Sequence, residues 1–365
     1  MYESLRPLLF RLDAERAHNL ASLAARTGQR LAGGFLEGRF AYASPRLHTT
    51  VLGIPFENPL GIAAGFDKNA RLIRFWHQVG CGFAEVGSVT AKRSRGNPRP
   101  RAFRVVEDAA LINRMGLNNQ GAHRIARRLA KGAPHPLPVG VSLAKTHDPA
   151  IHGSEAVEDF AASFSACAPW AAFVVLNLSC PNTREGRTFE DPNALDELLG
   201  VVMALRTELR PGLPVLLKLS PPVTDSVVLD SEVDEIVAVA RARGADGFVA
   251  SNTDPSRDLL QAQDDLLRSI GPGGVSGAPL KKRSTELVRY LYRKTEGKMP
   301  IIGVGGVGSA EDAYAKIRAG ASLVQLYTAL VYQGPGLFRE IKRGLDALLE
   351  KDGFATVKAA VGADT

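Results

Sequence analysis

The stretch PIIGVGGVGSAEDAYAKIRAGASLVQLYTA, residues 300–329, decides the fold. Pro300–Val304 is a short apolar run of the kind found in strands buried on both faces. A glycine loop follows, and Ser309, Glu311 and Asp312 then open a helix over Ala310–Ala319. Leu323–Leu326 makes a second buried strand. Strand, helix and strand in so short a span form a βαβ unit, which sets its two strands parallel.

The same alternation runs outward from this unit to about residue 55. The other expected strands are Pro59–Ala64, Phe83–Val89, Pro138–Ala144, Phe173–Leu178, Pro214–Leu219 and Gly247–Ser251. Helical periodicity marks Ala70–Val79, Gly121–Ala130, Ser154–Ala168, Asn193–Leu209, Val228–Arg243, Lys282–Thr295 and, after the eighth strand, Leu337–Leu349. Eight parallel strands with eight crossovers predict an α/β fold, a closed (β/α)8 TIM barrel, with an open doubly wound sheet as the competing arrangement. Polar residues gather at one end of nearly every strand, as in Ala64–Lys68, Asn177–Asn182, Lys218–Ser220, Ser251–Thr253 and Tyr327–Thr328. In a barrel that end carries the active site.

The flanks differ from the barrel. Residues 1–40 predict a two-helix extension, about Ser4–Phe10 and Asp13–Arg26, with Asp13 as a cap and leucines supplying apolar faces. Its arginines outnumber its acids, so it either lies on a membrane surface or packs on the barrel as a cap. The barrel domain is expected over 41–351, and residues 352–365 form a tail expected to fray. No apolar run approaches the roughly 20 residues that span a bilayer. Leu8, Leu9 and Phe10 are soon followed by charges, so no signal peptide is read and an intracellular location is expected. The formal charge of +7 suits anionic lipid or ligands, or simply a solvated basic surface, and no nucleic-acid motif accompanies it. Three scattered cysteines without a CxxC argue against a disulfide framework and against a metal site.

The chemistry is expected at the rim. Glycines at 303, 305 and 306 let backbone N–H groups approach an anion, and the helix that follows adds favourable charge. A second glycine run, Gly271–Gly277, joins the same rim and strengthens the case for a phosphorylated ligand. Asn113, Asn118, Asn177, Asn182 and Asn252 are either turn residues or readers of a planar pyrimidine-like ring. Lys68 and Lys218 end buried strands, where a cation holds a carboxylate or stabilises negative charge on a reduced flavin.

Five strings in order carry a resemblance: Ala64–Lys68, Ile112–Asn119, Asn177–Thr183, Ser251–Thr253 and Gly303–Val307. Together they resemble the dihydroorotate dehydrogenases over about residues 5–345. The leader Leu12–His18 is similar to the quinone-linked, membrane-associated class. The resemblance implies an FMN enzyme that oxidises (S)-dihydroorotate to orotate in pyrimidine (UMP) synthesis. Its electrons would go to a membrane quinone, and the chain would be a monomer held peripherally on the cytoplasmic side of the cell membrane. Substrate contacts would come from Lys68, Asn113, Arg114, Met115, Gly116, Leu117, Asn177, Asn182, Asn252 and Thr253. FMN would meet Ala64, Gly65, Lys68, Ser88, Ser142, Asn177, Lys218, Ser251, Gly277, Gly306, Tyr327 and Thr328. His18 and Arg101 would line the quinone tunnel. Cys180 falls at the position of the catalytic base, where quinone-linked members usually carry serine and the cytosolic class cysteine. A thiol ionises far more readily than a hydroxyl, although a lone cysteine is also at home as a small buried hydrophobe. Ser142 likewise stands where the family usually has asparagine.

Overall fold

The computed structural model describes residues 2–178, 188–222 and 231–365. The chain opens with helices α1 (Tyr2–Phe10), α2 (Ala14–Leu31) and α3 (Gly33–Phe40). A small antiparallel hairpin, β1 (Thr49–Val51) and β2 (Ile54–Phe56), follows before the barrel. The barrel then alternates β3 (Leu60–Ile62), α4 (Ile73–Gln78), β4 (Phe83–Val89), α5 (Ala122–Gly132), β7 (Val139–Leu143), α6 (Gly153–Cys167), β8 (Phe173–Asn177) and α7 (Pro192–Leu209). It is completed by β9 (Val215–Leu219), α8 (Ser231–Arg243), β10 (Gly247–Ala250), α10 (Lys281–Lys294), β12 (Ile301–Val304), α11 (Ala310–Arg318), β13 (Leu323–Leu326) and α13 (Leu337–Lys351). Two insertions supply β5 (Ala102–Val105), β6 (Ala110–Asn113), α9 (Asp264–Ile270) and β11 (Gly274–Gly277), and α12 (Thr328–Gln333) precedes α13.

The eight barrel strands close in the order β3-β4-β7-β8-β9-β10-β12-β13, all parallel, with β13 returning to β3. Each expected barrel strand is present within a residue or two of its expected bounds. The interior is filled by small residues facing large ones: a Cβ on Gly61 would fall 2.4 Å from the Phe83 ring, and one on Gly140 2.2 Å from Phe173. With Leu216, Val249, Ile302 and Leu323, these rings make the barrel a packed core rather than a pore. A larger core lies between the strands and the surrounding helices.

Three features differ from the sequence reading. The extension holds a third helix, α3, whose paired glycines at its start hide it from periodicity. The insertions pair across the rim into an antiparallel sheet, β5-β6-β11, whose register joins Gly274 to Asn113. The segment after Lys351 does not fray. Val357 and Ala360 are buried, Gly362 N–H donates to Ile317 O, and Arg318 holds Asp364. Two buried apolar residues and the two carboxylates that Arg318 holds, Asp352 and Asp364, dock a tail too short for a periodic pattern.

The extension is fastened at both ends. Tyr2 donates to Val331 O at 2.5 Å, Arg6 to Tyr332 O at 3.2 Å, and the Phe10 ring packs edge-on to Tyr332. Asp13 caps α2 by accepting from Arg16 N–H, and Gln29 bridges α2 to Arg71 O and Phe75 N–H.

Candidate active site

A cavity of about 450 Å³ opens where the barrel strands end, roofed by the β5-β6-β11 sheet and the start of α12. That volume is ordinary for a small-molecule site. Of the expected substrate contacts, Lys68, Asn113, Met115, Gly116, Leu117, Asn177, Asn252 and Thr253 line it. So do Ala64, Gly65, Ser88, Lys218, Ser251, Gly277, Gly306, Tyr327 and Thr328 among the expected cofactor contacts. Cys180 and Asn182 lie outside the described residues.

Two expected residues stand away from the lining. Arg114 turns to the outer face, stacks over Phe103 at 4.6 Å and donates to Ile270 O and Pro272 O, holding the α9 loop to the sheet. Ser142 is fully buried one layer back and shares a 2.8 Å hydrogen bond with Ser88. A chain of contacts runs forward from there. Asn177 donates to Ser88 Oγ at 3.0 Å and accepts from Asn252 Nδ2 at 3.1 Å. Each amide therefore has a fixed orientation. Asn177 still has one N–H and one lone pair for a ligand.

The electrostatics are those of a site built for anions. Lys218 pairs with Asn177 in the β8–β9 register and is almost fully buried. Its ammonium has no hydrogen-bond or ion-pair partner among the described residues. Burying a charge is costly, so such a cation needs an anionic or strongly accepting ligand. Lys68 donates to Gly65 O at 2.5 Å, and burial pushes it down to about 8, so it stays largely protonated at pH 7. Asp67 shapes this turn by accepting from Arg71 and Leu72 N–H at 2.9 and 2.7 Å. Its own carboxyl is raised by burial.

Gly305 and Gly306, where a phosphate loop is expected, have φ of +120° and +70°. A Cβ at Gly306 would meet the Lys281 backbone at 2.5 Å, so the loop packs this closely on α10 only as glycine. Sequence reasoning missed the cavity floor. Gln325 lines the cavity and donates to the fully buried Glu85 at 2.6 Å. Oε1 of each has no partner among the described residues. The signal was available, since Glu85 and Gln325 interrupt the apolar runs Phe83–Val86 and Leu323–Leu326.

A second, narrower cavity of about 170 Å³ runs between α1, α2 and the rim. Its walls are mostly apolar, including Leu9, Phe10, Ala17, Ala21, Phe66 and Trp76. His18 lines it, packs edge-on to Phe66 at 4.9 Å, and is pushed down to about 4 by burial and by nearby Lys68, so it is neutral. Arg101 does not line this tunnel. It stands behind the wall, donating to both oxygens of Glu15 at 3.0 and 2.7 Å and to Arg95 O and Asn97 O. The two cavities meet at Lys68, Asn113, Met115, Ser276 and Tyr327, which line both.

Fold and site together define a barrel enzyme that handles one polar, anionic ligand beside one apolar one. A family model described as dihydroorotate dehydrogenase matches residues 46–349, and the chain belongs to the dihydroorotate dehydrogenase family. A Cereibacter sphaeroides protein described as dihydroorotate dehydrogenase (quinone) is 46% identical over 354 residues, covering 97% of this chain and 95% of its own. A relative from Natronomonas pharaonis with the same description is 43% identical over 368 residues, with 100% and 99% covered. The crystal structure of ligand-free DHODH from Eimeria tenella superposes with a TM-score of 0.85 at 33% identity, over 96% of this chain and 99% of that one.

Proposed function

We propose that this chain oxidises (S)-dihydroorotate to orotate with FMN in de novo pyrimidine synthesis and passes the electrons to a membrane quinone. The observation that carries this reading is the shared wall: a polar chamber and an apolar tunnel meet at Lys68 and Tyr327. A soluble pyrimidine and a lipid-soluble acceptor need two such approaches to one redox centre.

The residues present fit FMN. The Lys218 ammonium and Gln325 Oε1, both without a partner among the described residues, and the glycine loop before α11 are the groups that a flavin ring and its phosphate would satisfy. When bound, FMN supplies the two-electron acceptor for the hydride that leaves C6 of dihydroorotate. Lys218 favours negative charge on that ring by its buried charge. Lys68 holds the substrate carboxylate, and Asn113, Asn177 and Asn252 read the pyrimidine edges. Cys180, which lies outside the described residues, takes the proton from C5. Its thiol, ordinarily ionising near 8.5, is within reach of neutral pH.

The tunnel is offered as the quinone path, with His18 on its wall. The N-terminal extension, helices α1 to α3 and the turn at Leu12, holds seven of the twelve exposed large apolar side chains among the described residues: Leu5, Leu8, Leu12, Leu20, Leu23, Leu31 and Phe35. A grouped apolar surface with flanking arginines suits the interfacial layer of a membrane. Among the described residues no helix is long and apolar enough to cross one. Peripheral attachment of a monomer on the cytoplasmic face is the arrangement proposed.

The test is an anaerobic half-reaction. The purified protein is mixed with dihydroorotate while flavin absorbance is followed, and a short-chain quinone or fumarate is then added in separate traces. Bleaching reversed by quinone alone is expected. Recovery with fumarate alone would assign a soluble acceptor, in keeping with the cysteine at 180, and no bleaching would refute the substrate. In Cys180→Ala the bleaching should slow by at least a hundredfold.

A further inference from the structure

Behind the glycine loop, out of reach of the cavity, lies Lys316 on α11, fully buried. Its ammonium donates to Ser284 Oγ at 2.5 Å and to Thr285 Oγ1 at 2.9 Å. Both hydroxyls pass a hydrogen bond onward: Thr285 to Lys281 O at 2.7 Å, and Ser284 to Gly305 O at 2.9 Å. No carboxylate forms an ion pair with Lys316 among the described residues. The charged groups that face it are Asp312, one turn earlier on α11, and Lys281 at the start of α10. These two are paired to each other at 2.6 Å, so Lys281 offsets part of the Asp312 field at Lys316. A buried cation in this state lacks its anion.

The other end of the chain of contacts is the loop itself. Gly305 and Gly306 both line the cavity. In a trans peptide the C=O and the following N–H point in opposite directions. Drawing the Gly305 carbonyl back onto Ser284 therefore turns the Gly306 N–H toward the cavity, where an anion would accept it.

We propose that Lys316 and Ser284 form a buried relay that sets the glycine loop for a phosphomonoester, and that the ligand's phosphate is the anion Lys316 lacks. The proposal rests on the FMN reading for its ligand. Lys316 is a positioning residue in this scheme, because it acts through Ser284 and through charge and touches no ligand.

The experiment uses FMN-loaded protein. Serial dilution with detection of released flavin fluorescence gives the FMN Kd for wild type, Lys316→Met and Ser284→Ala, and competition gives the riboflavin Kd. Loss of the buried charge and of its hold on Ser284 should raise the FMN Kd roughly tenfold in Lys316→Met. Ser284→Ala should shift it in the same direction, and it carries the test if the methionine variant does not fold. Riboflavin, which has no phosphate, should bind all three proteins alike.

Burial pushes Lys316 down to about 7, so the wild-type Kd for FMN should rise with pH above that point. Phosphate is already dianionic there, and Lys316→Met should be flat. Equal FMN affinities, or a matched loss of riboflavin, would overturn the relay. A wild type that carries no flavin would overturn the cofactor reading instead. Inorganic phosphate titrated into wild type and Lys316→Met would then test the relay by itself, with equal affinities refuting it.

Discussion

Replacing Arg101 by methionine should loosen the N-terminal extension while leaving the barrel folded. Arg101 is almost fully buried, and it is the main partner of Glu15, itself buried on α2. The same guanidinium also satisfies two backbone carbonyls. Removing one partner of a buried ion pair costs about 3–5 kcal/mol. Arg99 still reaches Glu15 at 2.9 Å from a largely exposed position, so the lower end of that range applies. At about 1.4 kcal/mol per factor of ten, 3 kcal/mol raises the local opening of α2 by roughly two orders of magnitude. Amide hydrogen exchange over residues 14–31, measured against the barrel strands in the same sample, reads that quantity. Wild type should show a related acid effect. The Arg101 and Arg99 guanidiniums hold the Glu15 carboxyl below its ordinary value, against the opposing pull of burial. The folded value lies below the unfolded one. The stabilisation is therefore complete above the unfolded pKa and is lost as pH falls through the folded one. Unchanged exchange in α2 together with a raised KM for a short-chain quinone would refute this reasoning. That result would return Arg101 to the tunnel wall, where the family resemblance had put it.

Three further outcomes are expected. His18 is depressed to about 4, below the roughly 6.5 of an unfolded chain, so its contribution is complete above pH 6.5 and is lost as pH falls toward 4. His18→Phe should narrow the stability difference between pH 7 and pH 5 by about 1–2 kcal/mol in thermal melts, and an unchanged difference would show that the imidazole titrates normally. A chain ending at Lys351 should melt several degrees lower than the full chain, because it uncovers the pocket of Val357 and Ala360 and frees Arg318; an identical melting temperature would mean that the docking contributes nothing. Leu20→Asp with Leu23→Asp should weaken cosedimentation with anionic vesicles by about tenfold or more, at unchanged flavin content. Equal sedimentation would make the extension a cap only.

The barrel was legible because each of its strands is buried on both faces, which leaves runs such as Val139–Leu143 with no competing reading. The rim was legible for a related reason: a polar residue ending a buried strand, such as Lys218, has only the strand mouth to face. The β5-β6-β11 sheet escaped because its register joins Gly274 to Asn113 across most of the barrel, and no local pattern encodes so distant a pairing. Gly274–Gly277 accordingly read as a loop. Arg114 belongs to the expected string but its side chain turns away from the cavity, since a residue's neighbours in sequence do not say which way its side chain points at a strand end. Arg101 shows the same limit. Its chemistry suits either a tunnel or a clamp, and only the position of Glu15 decides between them.

The fastening of α1 also has a consequence in time. Tyr2 and Arg6 find their acceptors 329 and 326 residues later in the chain. At a ribosomal pace of about 5–20 residues per second, the first helix waits roughly 16–66 s for its seat to be made. Throughout that wait its leucines stand uncovered beside a half-built barrel. Under the membrane attachment proposed above, the extension reaches a lipid surface before the barrel is complete, and the last helices close over an extension already in place.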